Sequence, residues 1–309
     1  MPNKQPPPED RYLTFITPKY WGLWCLIGIM RLLVLFPLNW QLALGRKLGR
    51  LLQKLSQRRN DITHINLQRC FPKMSAEERQ VTVDQHFEAL GMGLVETAYA
   101  WWGNIDALMK VTEVRGLEHM QGALKKGKGA ILLLAHFTSL EISGKVVGHL
   151  LPCHGIYFKH GNPLFDLVMR NGRKRSGIQT VPHSKLRTML RSLKDNYPFV
   201  YLPDQDFGKR ASIFVPFFDI NTATTPATAK LAELSGAAVV PFFPQRRTDG
   251  QGYIMTFYPP LTNFPSGNSI TDTMRINQVF EENIRQAIPQ YLWCHRRFKT
   301  RPNGESGFY

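Results

Sequence analysis

Residues 129–141 read GAILLLAHFTSLE. The apolar run 131–135 is too short for a core helix and is opened by glycines, so it reads as a strand buried on both faces, with a helix starting just beyond it. Runs of the same texture recur at 155–158, 199–202, 213–218, 237–243 and 253–258, with helical stretches between them. That alternation predicts an α/β fold with a largely buried sheet flanked by helices. No internal repeat or low-complexity segment interrupts it.

The run ends at His136, and Glu141 follows in what should be the first helical turn. A histidine at a strand end protrudes from the sheet edge, and a carboxylate five residues on can swing back toward it. The pair would make a general base, the carboxylate orienting the ring and stabilising the imidazolium formed when it takes a proton from a hydroxyl. A structural reading competes: Thr138 to Glu141 also fits a capping box, and His136 would then be a satisfied buried histidine. Neither Ser139 nor Ser212 lies in a G-x-S-x-G elbow, which argues against a serine nucleophile.

The flanks bear on partners. The 309 residues carry 39 Lys+Arg against 23 Asp+Glu, a net charge of +16, which suits polyanions: nucleic acid, an anionic bilayer, an acidic carrier or a phosphorylated substrate. Four scattered cysteines form neither a disulfide framework nor a zinc site. Residues 1–18 are proline-rich and read as a tail. Residues 19–40 read as a membrane-anchor helix: the stretch 21–37 is apolar apart from glycines and Arg31, with Tyr20, Trp21 and Trp40 where interfacial aromatics sit. It spans the bilayer, lies in its interface or packs as a buried soluble helix, Arg31 weighing against the span. Residues 41–110 read as a basic amphipathic and helical region, in which leucines at 44, 48, 51, 52 and 55 recur at helical spacing among Arg46, Lys47, Arg50 and Lys54. Such a helix lies on an anionic lipid surface or packs its leucines on the main domain. By the positive-inside rule these cations keep the following region, 111–309, in the cytoplasm. Ser75 and Glu78 form a capping box opening a helix to about Trp101, and Gly91-Met92-Gly93 within it suggests close packing against a neighbour.

Two further clusters are candidate substrate contacts. Lys159, Asn162, Asp166, Arg170, Arg173, Lys174 and Arg175 follow the strand at 155–158, and arginine suits bidentate phosphate contact. Asn162-Pro163 also reads as a turn opening a helix. Asp204-Gln205-Asp206 ends the run 199–202, with Lys209 and Arg210 beside it. Charge orientation near the active centre is the preferred role of these acids, and no metal site is expected.

The chain resembles the lipid A secondary (late) acyltransferases of Gram-negative bacteria. His136 to Glu141 is similar to the H-x-x-x-x-D/E box of glycerolipid-type acyltransferases. The closer likeness is carried by Pro18-Lys19-Tyr20-Trp21, Cys70-Phe71-Pro72, Gly91-Met92-Gly93-Leu94, Asn162-Pro163-Leu164, Pro203-Asp204-Gln205-Asp206, Val240-Pro241-Phe242 and the block from His295 to Pro302. The lauroyl-transferring branch is the nearest. The resemblance implies transfer of a fatty acyl group from an acyl carrier protein thioester, as co-substrate and without a cofactor, to the 3-hydroxyl of an acyl chain on the Kdo-bearing tetra-acylated lipid A precursor. It implies catalysis by His136 and Glu141, with Lys159, Asn162, Arg170, Arg173, Asp204, Gln205, Asp206 and Arg210 contacting substrate. Relatives often carry Arg where this chain has Lys159, which puts a bidentate contact there in doubt. The implied setting is the bacterial inner membrane, single-pass or monotopic, with the catalytic region cytoplasmic and no nucleic acid bound. The helix carrying Leu140, Ile142 and Val146 is where an acyl-length ruler is expected. Two other readings are a glycerol-phosphate acyltransferase, in which aspartate is usual where Glu141 stands, and a non-catalytic basic membrane-surface protein.

Overall fold

The computed structural model describes residues 12–309. Four helices lead the chain: α1 (Trp21–Leu33), α2 (Leu38–Leu55), α3 (Gln57–Cys70) and α4 (Ala76–Trp102). A short α5 (Ile105–Met109) and β1 (Thr112–Arg115) lead to α6 (Leu117–Leu124), β2 (Ala130–Leu133), α7 (Leu140–Leu150), β3 (Cys153–Tyr157) and α8 (Pro163–Arg175). Then come β4 (Ile178–Pro182), α9 (Leu186–Lys194) and β5 (Pro198–Tyr201), followed by a hairpin of β6 (Ile213–Phe217) and β7 (Ile220–Thr224). The chain closes with α10 (Ala227–Ser235), β8 (Ala238–Arg246), β9 (Tyr253–Phe257) and α11 (Ser269–Gln286).

Seven strands form one sheet in the order β1-β9-β8-β2-β5-β3-β4, parallel at every pairing except β8 with β9. All four residues of β2 are buried, as a central parallel strand covered on both faces requires. The run 213–218 is the exception to the expected sheet, since it pairs antiparallel with β7 in a separate two-stranded ribbon.

The N-terminal region departs from expectation. Of the expected tail, residues 1–11 lie outside the described residues, while Tyr12–Phe15 form a 3-10 turn that buries Phe15 beside Tyr20 and Trp24. The expected anchor is two helices. α1 has 13 residues, about 20 Å at the usual rise against the ~30 Å of a hydrocarbon core, and Pro37 caps the next helix instead of extending the first. Among the described residues, no helix is long and apolar enough to cross a membrane. α1 seats Ile27 near Trp101 of α4 and Leu167 of α8, while Trp21, Leu26, Ile29 and Leu32 stay exposed.

α2 leaves four of its five recurring leucines unpacked, with Leu52 half-buried. Its inward face is made of Gln41, Leu42, Gly45 and Gly49, whereas Leu44, Leu48, Leu51 and Leu55 are exposed. The capping box of Ser75 and Glu78 does open α4, and the expected close packing is here: a Cβ on Gly91 would sit 2.1 Å from Gly45 O and one on Gly49 2.0 Å from Phe87 O. Only glycine lets the two backbones touch. Of the basic residues, Arg50 pairs with Glu88 of α4 at 2.6 Å while its side chain stays exposed.

Candidate active site

β2 and β5 are parallel neighbours, with Leu133 opposite Tyr201. Three residues past each lie His136 and Asp204, so parallel pairing delivers both to the same sheet edge although 68 positions separate them. Asp204 grips the histidine twice: Oδ1 lies 2.6 Å from Nδ1, and Oδ2 accepts the backbone N–H of His136 at 2.8 Å. With Nδ1–H donated to the carboxylate, Nε2 is left to accept a proton. Burial alone would raise the Asp204 pKa. The His136 ring, its two hydrogen bonds and Arg297 outweigh that and hold the carboxyl below its ordinary value.

The expected partnership of Glu141 with the His136 ring is not found. Glu141 accepts from Trp101 Nε1 at 3.1 Å and from Arg173 Nε at 3.1 Å, and also meets the Arg173 NH2 group. Arg173 of α8 offers a guanidinium fork, the stronger partner for a carboxylate, and the position against Nδ1 is already filled by Asp204. The competing capping box is absent too: Ser139 is the N-cap of α7 and makes no side-chain cap.

A cavity of about 220 Å³ opens between these groups. His136, Glu141, Arg173 and Gln205 stand on its lining, which is otherwise mostly apolar: Leu132 of β2 and Leu134 just past it, Val200 of β5 and Leu202 just past it, Ile178 of β4, Leu140 and Val147 of α7, Met169 of α8. Gly155 on β3 is level with Val200 and Thr180, and its missing side chain leaves the sheet face open there. Phe158 stacks on His183 at 4.1 Å and on Phe207 at 6.1 Å, and both phenylalanines line the cavity. A wider cleft of about 930 Å³ beside Phe71 and Arg285 has no histidine in its lining. Of the expected ruler positions Leu140 lines the cavity, whereas Ile142 and Val146 are fully buried in the core.

The other expected contacts fall elsewhere. Asn162 caps α8, accepting from Leu164 and Phe165 backbone N–H groups, which is the turn its sequence also allowed. Arg170 pairs with Asp166 at 2.9 Å. Asp206 accepts from Thr300 N at 2.7 Å and Thr300 Oγ1 at 2.9 Å, which secures the C-terminal block rather than facing the cavity. Lys159 is exposed and outside the lining. Arg210 lines a different groove, with Leu186, Pro226 and Lys230.

Residues 290–300 supply what the sequence reading missed. The Leu292 N–H donates to His136 O at 2.9 Å, Phe137 bridges Tyr291, and Arg297 is buried with its guanidinium on Ala223 O and Thr224 Oγ1, both at 2.7 Å. Asn66 of α3 anchors the segment through Trp293 O and His295 O. The block from His295 onward is visible as text in the sequence, but nothing in its spacing says that it folds under Asp204.

Burial pushes His86, whose Nδ1 lies 3.1 Å from Pro289 O, and His295, beside His136 and Arg297, from the ordinary 6.5 down to about 4. The unfolded chain takes up protons near pH 6.5 that the folded chain refuses until about 4, so stability falls as pH drops through that window. Denaturant titrations from pH 7 to 4.5 should show a declining midpoint. A flat profile would mean that neither histidine is shielded as described.

Residues 10–300 match the family described as bacterial lipid A biosynthesis acyltransferase. The chain belongs to that family. It is 40% identical to the lipid A biosynthesis lauroyltransferase of Escherichia coli K12, covering 94% of this chain and 96% of that one. It is 37% identical to the palmitoleoyltransferase of the same strain over 96% of each, and 28% identical to its myristoyltransferase over 94% of this chain and 91% of that one. Among solved structures, the 1-acyl-sn-glycerophosphate acyltransferase PlsC of Thermotoga maritima aligns with a TM-score of 0.38 and 13% identity over 80% of this chain and 99% of that one, a loose likeness. The protein is thus an acyltransferase of lipid A biosynthesis, and its substrate is a lipid A precursor.

Proposed function

We propose that this acyltransferase moves a saturated acyl group of about twelve carbons, the length its lauroyl relative's name suggests, from acyl carrier protein to the 3-hydroxyl of an acyl chain on the Kdo-bearing tetra-acylated precursor. The observation that carries the reading is the imidazole of His136, held by a buried carboxylate at an apolar cavity. His136 Nε2 takes the proton of the acceptor hydroxyl as its oxygen attacks the thioester carbonyl. The C–O bond forms, the C–S bond breaks, and the proton passes to the departing thiolate. Asp204, where the sequence suggested Glu141, stabilises the imidazolium between these steps. Glu141 and Arg173 face the same cavity and orient the polar part of a substrate, and the apolar lining takes the acyl chain. Purified protein given a set of acyl carrier protein thioesters and the tetra-acylated precursor should yield a product heavier by one acyl chain. No mass gain with any donor would sink the reading.

The protein works as a monotopic enzyme on the cytoplasmic face of the inner membrane, held by the exposed apolar side chains of α1 and α2 and by the cations beside them. Changing Leu44, Leu48 and Leu51 together to Ser should lower partition onto anionic vesicles at least about tenfold, because these side chains would bury in lipid rather than protein. Thermal stability should stay near wild type. Unchanged partition would mean that the leucine face is not the contact.

A further inference from the structure

Glu96 of α4 and Arg246 at the end of β8 are both deeply buried. Arg246 Nε donates to Glu96 Oε1 at 2.6 Å, NH2 donates to Oε2 at 2.7 Å, and the Tyr253 hydroxyl adds a third bond at 2.9 Å. A buried ion pair stabilises a fold no better than well-packed apolar side chains of the same volume, so the direction in which it points is more informative than its strength. The fork leaves the NH1 nitrogen, which donates to Thr138 Oγ1 at 2.7 Å. Thr138 lies two residues past His136, in the turn between β2 and α7.

That turn is gripped from other sides as well. The Thr138 N–H donates to Gln290 O at 2.8 Å, and the Gln290 side chain bonds both the N–H and the C=O of Arg246, at 2.8 and 3.1 Å. α4 comes so close at Gly93 that a Cβ there would sit 2.2 Å from Thr138 O. Asp204 holds the ring and N–H of His136 from the β5 side, but it cannot fix the chain that follows. Neither Thr138 nor Arg246 lines the cavity, so both act from behind it.

We infer that Arg246 is a positioning residue that acts through Thr138: the buried Glu96 aims its guanidinium so that the remaining nitrogen, NH1, locks the turn carrying the base. The inference rests on His136 being that base. Misplacing a reacting group by about 1 Å can cost on the order of 100-fold in rate, whereas substrate affinity is spread over a cavity lining most of which lies on β2 to β5, α7 and α8, outside this turn.

The test uses the full-length enzyme with acyl carrier protein thioester and the tetra-acylated precursor. Thr138→Val keeps the shape and removes the acceptor. It should lower kcat about 10- to 100-fold with KM within about twofold and a melting temperature near wild type. Thr138→Ser restores the acceptor and should return kcat to within about threefold. Arg246→Lys, which keeps the charge on Glu96 but loses the arm to Thr138, should match Thr138→Val in kcat. Wild-type kcat in Thr138→Val beside an inactive His136→Ala would overturn the inference and leave the general-base reading standing. An active His136→Ala overturns both. Equal losses in Thr138→Val and Thr138→Ser, together with lowered melting temperatures, would show that the contact only supports the fold and would also overturn it.

Discussion

Asp204→Asn should cost more turnover than Glu141→Gln, and its loss should approach that of His136→Ala. A general base contributes ~10²–10⁴-fold to rate, so His136→Ala should fall by about that factor with substrate binding nearly intact. Asparagine at 204 can still bond the His136 backbone N–H. It cannot stabilise an imidazolium, and its amide can donate to Nδ1 and so favour the tautomer whose Nε2 carries a proton and cannot act as base. Glutamine at 141 keeps one acceptor for Trp101 and Arg173 but drops the charge opposite the guanidinium. That should appear mainly as a raised KM for the precursor, because Arg173 loses the partner that orients it. The measurement is kcat and KM for the three variants with saturating donor. If Glu141→Gln loses as much kcat as His136→Ala while Asp204→Asn keeps its rate, Glu141 is the ring's partner in the working enzyme and the arrangement described here does not operate.

The difference between these carboxylates shows what a sequence can hold. His136 is legible because a histidine ending an all-apolar strand has no ordinary core role, and Asp204 stands at the end of another such run. The meeting of the two depends on β2 and β5 being neighbours in register, which is a property of the sheet order and not of either run. Sequence proximity made Glu141 the natural partner, but its side chain leaves α7 sideways, to Trp101 of α4 and Arg173 of α8, and neither is near it in sequence. The amphipathic period of α2 was equally visible, yet not which stripe faces inward. The leucine stripe looks like the packing face until Gly45 and Gly49 are set against Gly91, where only bare backbone fits. Gly91-Met92-Gly93 announced a close approach, and two are present, one to α2 and one to Thr138. The expected anchor helix of residues 19–40 is broken short because hydropathy does not register that Pro37 starts a new helix.

Gly155→Val should shift the enzyme toward shorter acyl donors. At the level of Gly155 the cavity is bounded by Leu132, Val200 and Thr180, with Ile178 deeper along the same sheet face. A Cβ at 155 would lie 3.4 Å from Ile178 Cγ2 and 3.6 Å from Val200 Cβ, an ordinary fit that leaves the added methyl groups to occupy the cavity. Gly144 is the poorer site, since a Cβ there would come within 2.9 Å of Ile178 Cδ1 and displace it. Each methylene kept from the cavity forfeits ~0.8 kcal/mol of burial, about fourfold in kcat/KM, and a chain that strikes valine is rejected more sharply still. The expected result across a panel of acyl carrier protein thioesters is an optimum two or so carbons shorter, with kcat for that donor near the wild-type value for its own. Val146→Phe, at the position the sequence favoured for the ruler, should behave differently. Val146 is fully buried in the core, so enlargement there overpacks it and costs ~1–3 kcal/mol of stability without reordering donors. If Val146→Phe reorders the panel and Gly155→Val does not, the acyl chain lies on the other side of α7 and the cavity beside His136 holds something else.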